Sequence, residues 1–306
     1  MSSGADSATD RSSEPRLVLA AADIVGESLV YDDGRQALVW VDIGGRRIHR
    51  LGLADGRHEI WPTPSFPTSV GLRRDGGAIV GLLKQVVLWD YGTEFAPLAT
   101  LEPDLPDNRL NEGCVAPDGS FWVGTMQNNL TETGAPKAMT ASTGALWRVA
   151  PDGKVSRLTP SEYGITNTLA WTGDGRLLVA DTLANTIYQL DHRADGLSNR
   201  RIFAAGLSRG YPDGSTLDAE GFLWNCRVAG GSSLARYAPD GTLDRLVELP
   251  CSWPTSCAFG GSDLATLFVT SARFTLSPEH LAAHPQEGAL FALEPGVTGL
   301  PPNRFG

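Results

Sequence analysis

The sequence has few cysteines and no long hydrophobic run, and these shortages exclude several classes of protein. Its four cysteines show no CxxC pair and no zinc-binding spacing, so they are expected to be small buried thiols, with a structural disulfide as the alternative; they are Cys114, Cys226, Cys251 and Cys257. No stretch of 18 apolar residues occurs, which argues against a membrane partner. The 25 basic residues are outnumbered by 35 acidic ones and form no cluster, which argues against nucleic acid as a partner.

The segment from Met1 to Arg16 lacks both the basic and the apolar parts of a signal peptide. It is rich in Ser, Asp and Glu, which predicts a disordered tail over residues 1–15. We expect a single domain over residues 16–306 and a cytoplasmic location.

Glycine and proline are abundant, and they predict many tight turns in place of long helices. The chain holds 35 glycines and 20 prolines, about 18% of its residues against an ordinary share of about 12%. An apolar fraction of 42% is enough for a folded core.

An internal repeat organises these turns. Six turn dipeptides each precede an apolar strand-like run; they are Asp33-Gly34, Asp75-Gly76, Asp118-Gly119, Asp174-Gly175, Glu220-Gly221 and Ser262-Asp263. A second strand-like run follows each one, as in residues 46–53 and 85–91. Strand runs bounded by such turns are typical of antiparallel hairpins, and repeats of about 40–45 residues are typical of propeller blades.

The repeat predicts an all-β fold, a six-bladed β-propeller with four antiparallel strands per blade around a central channel. We expect residues 16–22 to supply the outer strand of the last blade and so to close the ring. The longest repeat carries an extra surface excursion around residues 127–142. A pair of β-sandwiches with accidental spacing is the alternative.

Polar residues recur just before each turn, at a position that enters the innermost strand. They are Glu27, Ser69, Asn111, Asn167, Asp213 and Ser256. Equivalent positions in a propeller form a ring, so these side chains are predicted to line one mouth of the channel. Two carboxylates and two amides converging there would suit a hard divalent cation. The alternative is that each simply hydrogen-bonds a blade turn.

Several strings around these residues resemble the gluconolactonase / senescence-marker-protein / luciferin-regenerating family of six-bladed propellers, in its bacterial sugar-lactonase branch. They are Gly26-Glu27, Arg109-Leu110-Asn111-Glu112-Gly113, Ile165-Thr166-Asn167 and Tyr211-Pro212-Asp213-Gly214, and the likeness extends from about Ala22 to Leu293.

The resemblance implies roles for particular side chains. Glu27, Asn167 and Asp213 match the family's direct metal ligands, and Asp213 also matches its proposed general base. Arg109 and Asn111 match residues that hold substrate.

The chain departs from the family pattern around the substrate. Glu112 stands where the family usually has Asp and is counted with the predicted substrate-binding residues. A family acidic contact falls at Asn128 or Asn129, of which we select Asn129. Arg227 lies in an altered segment of the fifth blade and is predicted either to contact an anionic substrate group or to be a solvated surface residue.

The resemblance therefore implies a hydrolase that opens a sugar-acid lactone, neutral or anionic, with one divalent ion (Ca²⁺, Zn²⁺, Mg²⁺, Mn²⁺ or Fe²⁺) as cofactor. The expected partner is a small-molecule sugar lactone, and the expected assembly is a monomer or small homo-oligomer. Two alternatives remain. One is another metal-dependent ester or organophosphate hydrolase, and the other is a non-catalytic binding propeller. The acidic residues Glu27 and Asp213 argue against the binding propeller, because such a protein would need no acidic ligands at the mouth.

Overall fold

A computed structural model describes residues 14–193 and 196–306. Its strands begin and end at the repeated turns of the sequence. Gly119 and Gly175 have φ of +80° and +82°, a left-handed conformation that glycine adopts without steric cost. Their amides donate to the carbonyls of Ala116 and Thr172, three residues earlier, at 3.0 and 2.9 Å, and these bonds close the turns. The predicted tail over residues 1–15 lies outside the described residues except for its last two.

The first half of the chain forms β1 (Arg16–Leu19), β2 (Gly26–Asp32), β3 (Ala37–Asp42), β4 (Arg47–Gly52), β5 (His58–Pro62), β6 (Pro67–Arg73), β7 (Ala78–Leu82), β8 (Gln85–Trp89), β9 (Phe95–Thr100), β10 (Asn108–Val115), β11 (Phe121–Gln127), β12 (Leu146–Val149) and β13 (Val155–Arg157). The second half forms β14 (Thr166–Trp171), β15 (Arg176–Asp181), β16 (Thr186–Arg193), β17 (Gly196–Ala205), β18 (Tyr211–Leu217), β19 (Leu223–Val228), β20 (Ser233–Tyr237), β21 (Leu243–Glu248), β22 (Pro254–Gly260), β23 (Thr266–Ser271), the helix α1 (Pro278–Ala283), β24 (Leu290–Leu293) and β25 (Arg304–Phe305).

These strands form six antiparallel sheets that are the blades of a propeller. Blades one to five take their strands in chain order from β2, β6, β10, β14 and β18, and blade six has the order β22-β23-β24-β1. Each of these leading strands contacts its counterparts in the two neighbouring blades, and β22 contacts β2 to complete the ring. The predicted six-bladed fold is therefore confirmed.

Two details of the ring concern the ends of the described chain. The strand β1 pairs antiparallel with β24, with Arg16 opposite Ala292, so the expected closure of blade six by the first strand is confirmed. Blade two has five strands instead of the predicted four, because β25 adds in parallel to β6, with Arg304 opposite Leu72.

The apolar core consists of clusters between neighbouring blades. Between blades five and six, Trp224 and Phe291 are 0% exposed, and comparable clusters occupy the other five interfaces. Strand side chains alternate between the two faces of a sheet, so each blade contributes apolar residues to both of its neighbours. Truncation of a buried Trp or Phe to Ala typically costs about 3–5 kcal/mol, so each interface stabilises the ring substantially.

The excursion between β11 and β12 crosses back over blades one and two. Leu130 is 3% exposed and packs in the cluster between those two blades with Ile43 and Phe66. The guanidinium of Arg46 donates to the carbonyl oxygen of Glu132. The excursion therefore forms a wall beside one mouth of the channel.

All four cysteines lie in the described part of the chain and carry free thiols, three of them buried and Cys114 half-buried. The expectation of thiols is confirmed over the disulfide alternative. Over residues 14–193 and 196–306, no helix is long and apolar enough to span a bilayer.

Candidate active site

The mouth beside the excursion gathers four of the six predicted ring positions. Glu27, Asn111, Asn167 and Asp213 line one pocket, and each comes from the innermost strand of a different blade. In each of these strands the pairing register shifts at or next to the ring residue, as between Glu27 and Val30. Such β-bulges re-aim side chains, and here they turn the polar groups toward the channel axis.

In blades two and six the predicted ring residues are off by one position. Pro254 pairs with Ser271 as Pro212 pairs with Arg227 in blade five, which makes Thr255 the equivalent of Asp213. By the same register, Thr68 of blade two replaces Ser69, and Thr255 replaces Ser256. Thr255 lines the pocket. The shared Pro-Thr-Ser string does not by itself show which hydroxyl aligns with the ring.

Amide hydrogen bonds fix the orientation of the two asparagines. Asn111 Nδ2 donates to Asn167 Oδ1 at 3.1 Å and to the carbonyl oxygen of Thr166 at 2.9 Å. Asn167 Nδ2 donates to Thr182 Oγ1 at 2.8 Å, and this hydroxyl donates in turn to the carbonyl oxygen of Pro212 at 2.8 Å. Asn167 Oδ1 is thus held on the pocket side. Thr182 is a site residue that sequence reasoning did not select.

Arg109 and Asn129, two of the predicted substrate-binding residues, are hydrogen-bonded to each other in the pocket. Arg109 donates through Nη2 to Asn129 Oδ1 at 2.9 Å and through Nη1 to Asn111 Oδ1 at 2.6 Å. Burial lowers the pKa of the Arg109 guanidinium to about 10, so it remains a cation at neutral pH. The guanidinium of Arg109 therefore places a fixed positive charge beside the carboxylates of the pocket.

The carboxylates of Glu27 and Asp213 are buried next to each other. Glu27 Oε2 accepts from the Ser28 amide at 3.1 Å, whereas Asp213 Oδ1 is buried without a hydrogen-bond partner among the described residues. The pKa of Glu27 is raised well above its usual range by burial and then by the charge of Asp213. Burial and then the charge of Glu112 raise the pKa of Asp213 in the same way. Two adjacent buried carboxylates are costly to ionise together unless a cation joins them.

Glu112 is not brought to this pocket. It lines a separate cavity of about 460 Å³ toward the opposite end of the channel, together with Cys114, Trp171 and the C-terminal segment at Leu300. Its side chain accepts from the Gly113 amide at 3.2 Å. Burial, followed by the charge of Glu27, raises its pKa to about 8. The predicted substrate contact at Glu112 therefore has no support in this geometry.

Arg227 also lies away from the pocket, and it is not the solvated surface residue of the alternative prediction. Its side chain is 1% exposed and donates to five acceptors within blades four and five, including Asn185 Oδ1 at 2.8 Å and the carbonyl oxygen of Gly210 at 2.8 Å. The neighbouring residue Val228 lines the pocket instead. Adjacent strand residues face opposite sides of a sheet, which explains the difference.

A second group of ionisable side chains lies within blade one. Asp23, Asp42 and His49 are all buried, their ligand atoms lie within 4.8 Å of one another, and the group could bind a metal. However, Arg47 Nη2 lies 3.2 Å from Asp23 Oδ1 and 3.0 Å from Asp42 Oδ2, and Trp40 Nε1 donates to Asp23 Oδ2 at 2.8 Å. The guanidinium already occupies the position of a counter-ion. Sequence reasoning missed this group because its members do not share a position in the repeat.

Comparison with known proteins agrees with this architecture. A profile of the SMP-30/gluconolactonase/LRE-like region matches residues 25–273. The 6-deoxy-6-sulfogluconolactonase of Pseudomonas putida is 34% identical over 290 residues, which cover 93% of this chain and 96% of that protein. Regucalcin of Oryctolagus cuniculus is 33% identical over 287 residues, covering 92% and 94%.

A solved structure of a relative has the same fold. The crystal structure of a calcium-binding protein, regucalcin, from Agrobacterium tumefaciens matches with a TM-score of 0.85 and 31% identity, over 94% of this chain and 95% of that one. The family match over residues 25–273 includes the four strands that carry Glu27, Asn111, Asn167 and Asp213. The chain therefore belongs to the SMP-30/gluconolactonase/LRE-like family.

Proposed function

We propose that this protein hydrolyses a sugar-acid lactone to the open-chain acid with the help of one divalent metal ion. The observation that carries the proposal is the buried carboxylate pair of Glu27 and Asp213, in which Asp213 Oδ1 has no hydrogen-bond partner in the part of the chain that the structure describes. A sugar lactonase among the relatives supports the reaction class, and a calcium-binding regucalcin supports a divalent ion.

The residues of the pocket fit a hard divalent cation. Glu27, Asn167 and Asp213 would hold it, since all three present oxygen and Ca²⁺, Mg²⁺ and Mn²⁺ favour oxygen ligands, with Zn²⁺ and Fe²⁺ also accommodated. Both carboxylates can be ionised together once a cation neutralises them. Such an ion polarises a carbonyl oxygen and lowers the pKa of water.

Asp213 is the base in this proposal. It takes a proton from the water whose oxygen bonds to the lactone carbonyl carbon. The ring ester bond then breaks, and the proton is delivered to the leaving alkoxide, so that the products are one carboxylic acid and one hydroxyl. General-base assistance of this kind is typically worth about 10²–10⁴-fold.

Arg109 orients the substrate and stabilises charge. Its guanidinium is held by Asn111 and Asn129, so it loses little conformational freedom when a ligand binds. The same group can donate to lactone hydroxyls or to the oxygen on which negative charge develops. In this proposal Arg109, Asn111 and Asn129 bind the substrate.

A panel of lactones tests the function. Purified protein is stripped with a chelator and then assayed by acid release on five- and six-carbon aldonolactones, with and without each divalent metal restored. We expect hydrolysis that disappears in the stripped protein and returns with metal. Aryl esters and organophosphates serve as comparison substrates, and faster turnover of either class than of every lactone would contradict the proposal.

A further inference from the structure

The pocket at the mouth is small for the substrate just proposed. Its volume is about 90 Å³, whereas ligand pockets commonly measure about 300–1,000 Å³. A six-carbon lactone seated at Asp213 must therefore extend beyond the pocket. The adjoining cavity that can receive it measures about 380 Å³ and shares Leu130 as a wall.

Two segments of the chain line both spaces. In the turn between β3 and β4, Ile43 faces the pocket and Arg46 lines the larger cavity. In the excursion, Asn129 faces the pocket and Asn128 lines the larger cavity. The two spaces are thus neighbours at the same mouth, and Leu130 lines both of them. We call the larger one the distal cavity.

The distal cavity contains a cation, Arg46, that has no acidic partner among the residues described. The guanidinium of Arg46 lies over the Phe66 ring, 4.4 Å from its centroid, and its one hydrogen-bond acceptor is the carbonyl oxygen of Glu132. Within the described ranges, no carboxylate lies within ion-pair distance of it. Lys137 also lines the cavity, but it pairs with Asp107 at 2.5 Å, so its charge is compensated.

Among the described residues, Glu132 is the one acidic residue that lines the same cavity. It forms no ion pair with Arg46, and its side chain is exposed. The cavity is therefore lined by two cations and one anion. Lys137 is paired with Asp107, whereas Arg46 is held by stacking on the Phe66 ring and not by an ion pair.

We propose that the distal cavity receives the far end of the lactone and that Arg46 binds an anionic group there, such as a sulfonate, phosphate or carboxylate on the terminal carbon. Arg binds such oxyanions through its planar fork of N–H donors. This assignment rests on the proposed function and names its substrate class. Arg46 lies outside the pocket that contains Asp213, so it would not take part in the bond-breaking step. Its proposed role is to select lactones that carry an anionic group.

Kinetics on a matched pair of substrates tests the assignment. Gluconolactone and its 6-deoxy-6-sulfonate are compared with the metal-loaded full chain and with Arg46→Gln, Glu132→Gln and Arg57→Gln. Arg57 is an exposed arginine elsewhere in blade one and is the matched control. We measure the ratio of kcat/KM for the sulfonated lactone to that for the neutral one, at low and high salt.

We expect Arg46→Gln to lower this ratio about tenfold through KM, which corresponds to one charge-assisted hydrogen bond in a partly exposed site. Glu132→Gln should raise the ratio, Arg57→Gln should leave it unchanged, and added salt should lower it in the wild type. Calorimetric binding of the sulfonated open-chain acid should weaken in Arg46→Gln alone.

Failure of this assignment is distinguishable from failure of the proposed function. If the wild type hydrolyses lactones but Arg46→Gln changes both substrates equally, the distal assignment is wrong and the lactonase proposal stands. If the wild type hydrolyses no lactone in the presence of any metal, both are wrong.

Discussion

Glu27 of blade one and Asp213 of blade five bring their carboxylates together in one buried pocket, where the charge of Asp213 adds to burial in raising the pKa of Glu27. They are far apart along the chain and meet because both occupy the same position in the repeat. The two charges repel when both are ionised, and this repulsion favours the binding of a cation between them.

The first prediction concerns these two side chains. Asp213→Ala and Glu27→Gln should each lower kcat/KM by about 10²–10⁴-fold, since one removes the proposed base and the other a metal-binding charge. Asp240→Asn, at an exposed turn, is the control. Circular dichroism should show that the fold is retained, and full activity of either variant with metal present would refute the site.

The second prediction concerns metal and stability. A ligand that binds only the folded state stabilises it by about 2.7 kcal/mol at a hundredfold excess over its Kd. Added divalent metal should therefore raise Tm in the wild type and much less in Glu27→Gln.

The same measurement distinguishes the two candidate metal groups. In His49→Gln the Tm shift should persist, because Arg47 already neutralises Asp23 and Asp42 in blade one. A shift that disappears in His49→Gln and survives in Glu27→Gln would assign the ion to blade one.

The third prediction concerns the pH dependence of stability through Glu112. Its pKa is raised from 4.5 to about 8 in the folded protein, so between those values the folded state holds more protons than the unfolded state. Stability from this group is fully present below about pH 4.5 and is lost as pH rises through about 8.

Glu112→Gln should remove that slope and raise the free energy of unfolding at pH 9 by up to about 5 kcal/mol, since one pKa unit corresponds to about 1.4 kcal/mol and the pKa is raised from 4.5 to about 8. Urea denaturation from pH 5 to 9 in the presence of chelator measures it. Parallel pH profiles for wild type and variant would contradict the raised pKa.

The repeat in the sequence was sufficient to predict the six blades, because each turn and strand is a local pattern. It also located Glu27, Asn111, Asn167 and Asp213, since equivalent repeat positions must share a ring. It did not predict that Glu112 faces the other way, because a β-bulge after Leu110 decides which side each residue takes. The fifth strand of blade two, at Arg304, depends on a contact between distant segments and leaves no local pattern.

The last prediction concerns Arg227, which the sequence analysis selected as a substrate contact and which the structure places in a buried hydrogen-bond network. Its five hydrogen bonds join blades four and five, and three of its acceptors are backbone carbonyl oxygens. Removal of the guanidinium leaves buried acceptors unpaired, each costing about 1–3 kcal/mol. Arg227→Ala should therefore lower the free energy of unfolding by about 3–5 kcal/mol, measured by urea denaturation.

Because the Arg227 side chain does not reach the pocket, kcat/KM for neutral and for sulfonated lactones should change by the same factor in this variant. A selective loss for the sulfonated lactone would return Arg227 to the substrate-binding residues and would weaken the assignment of that role to Arg46.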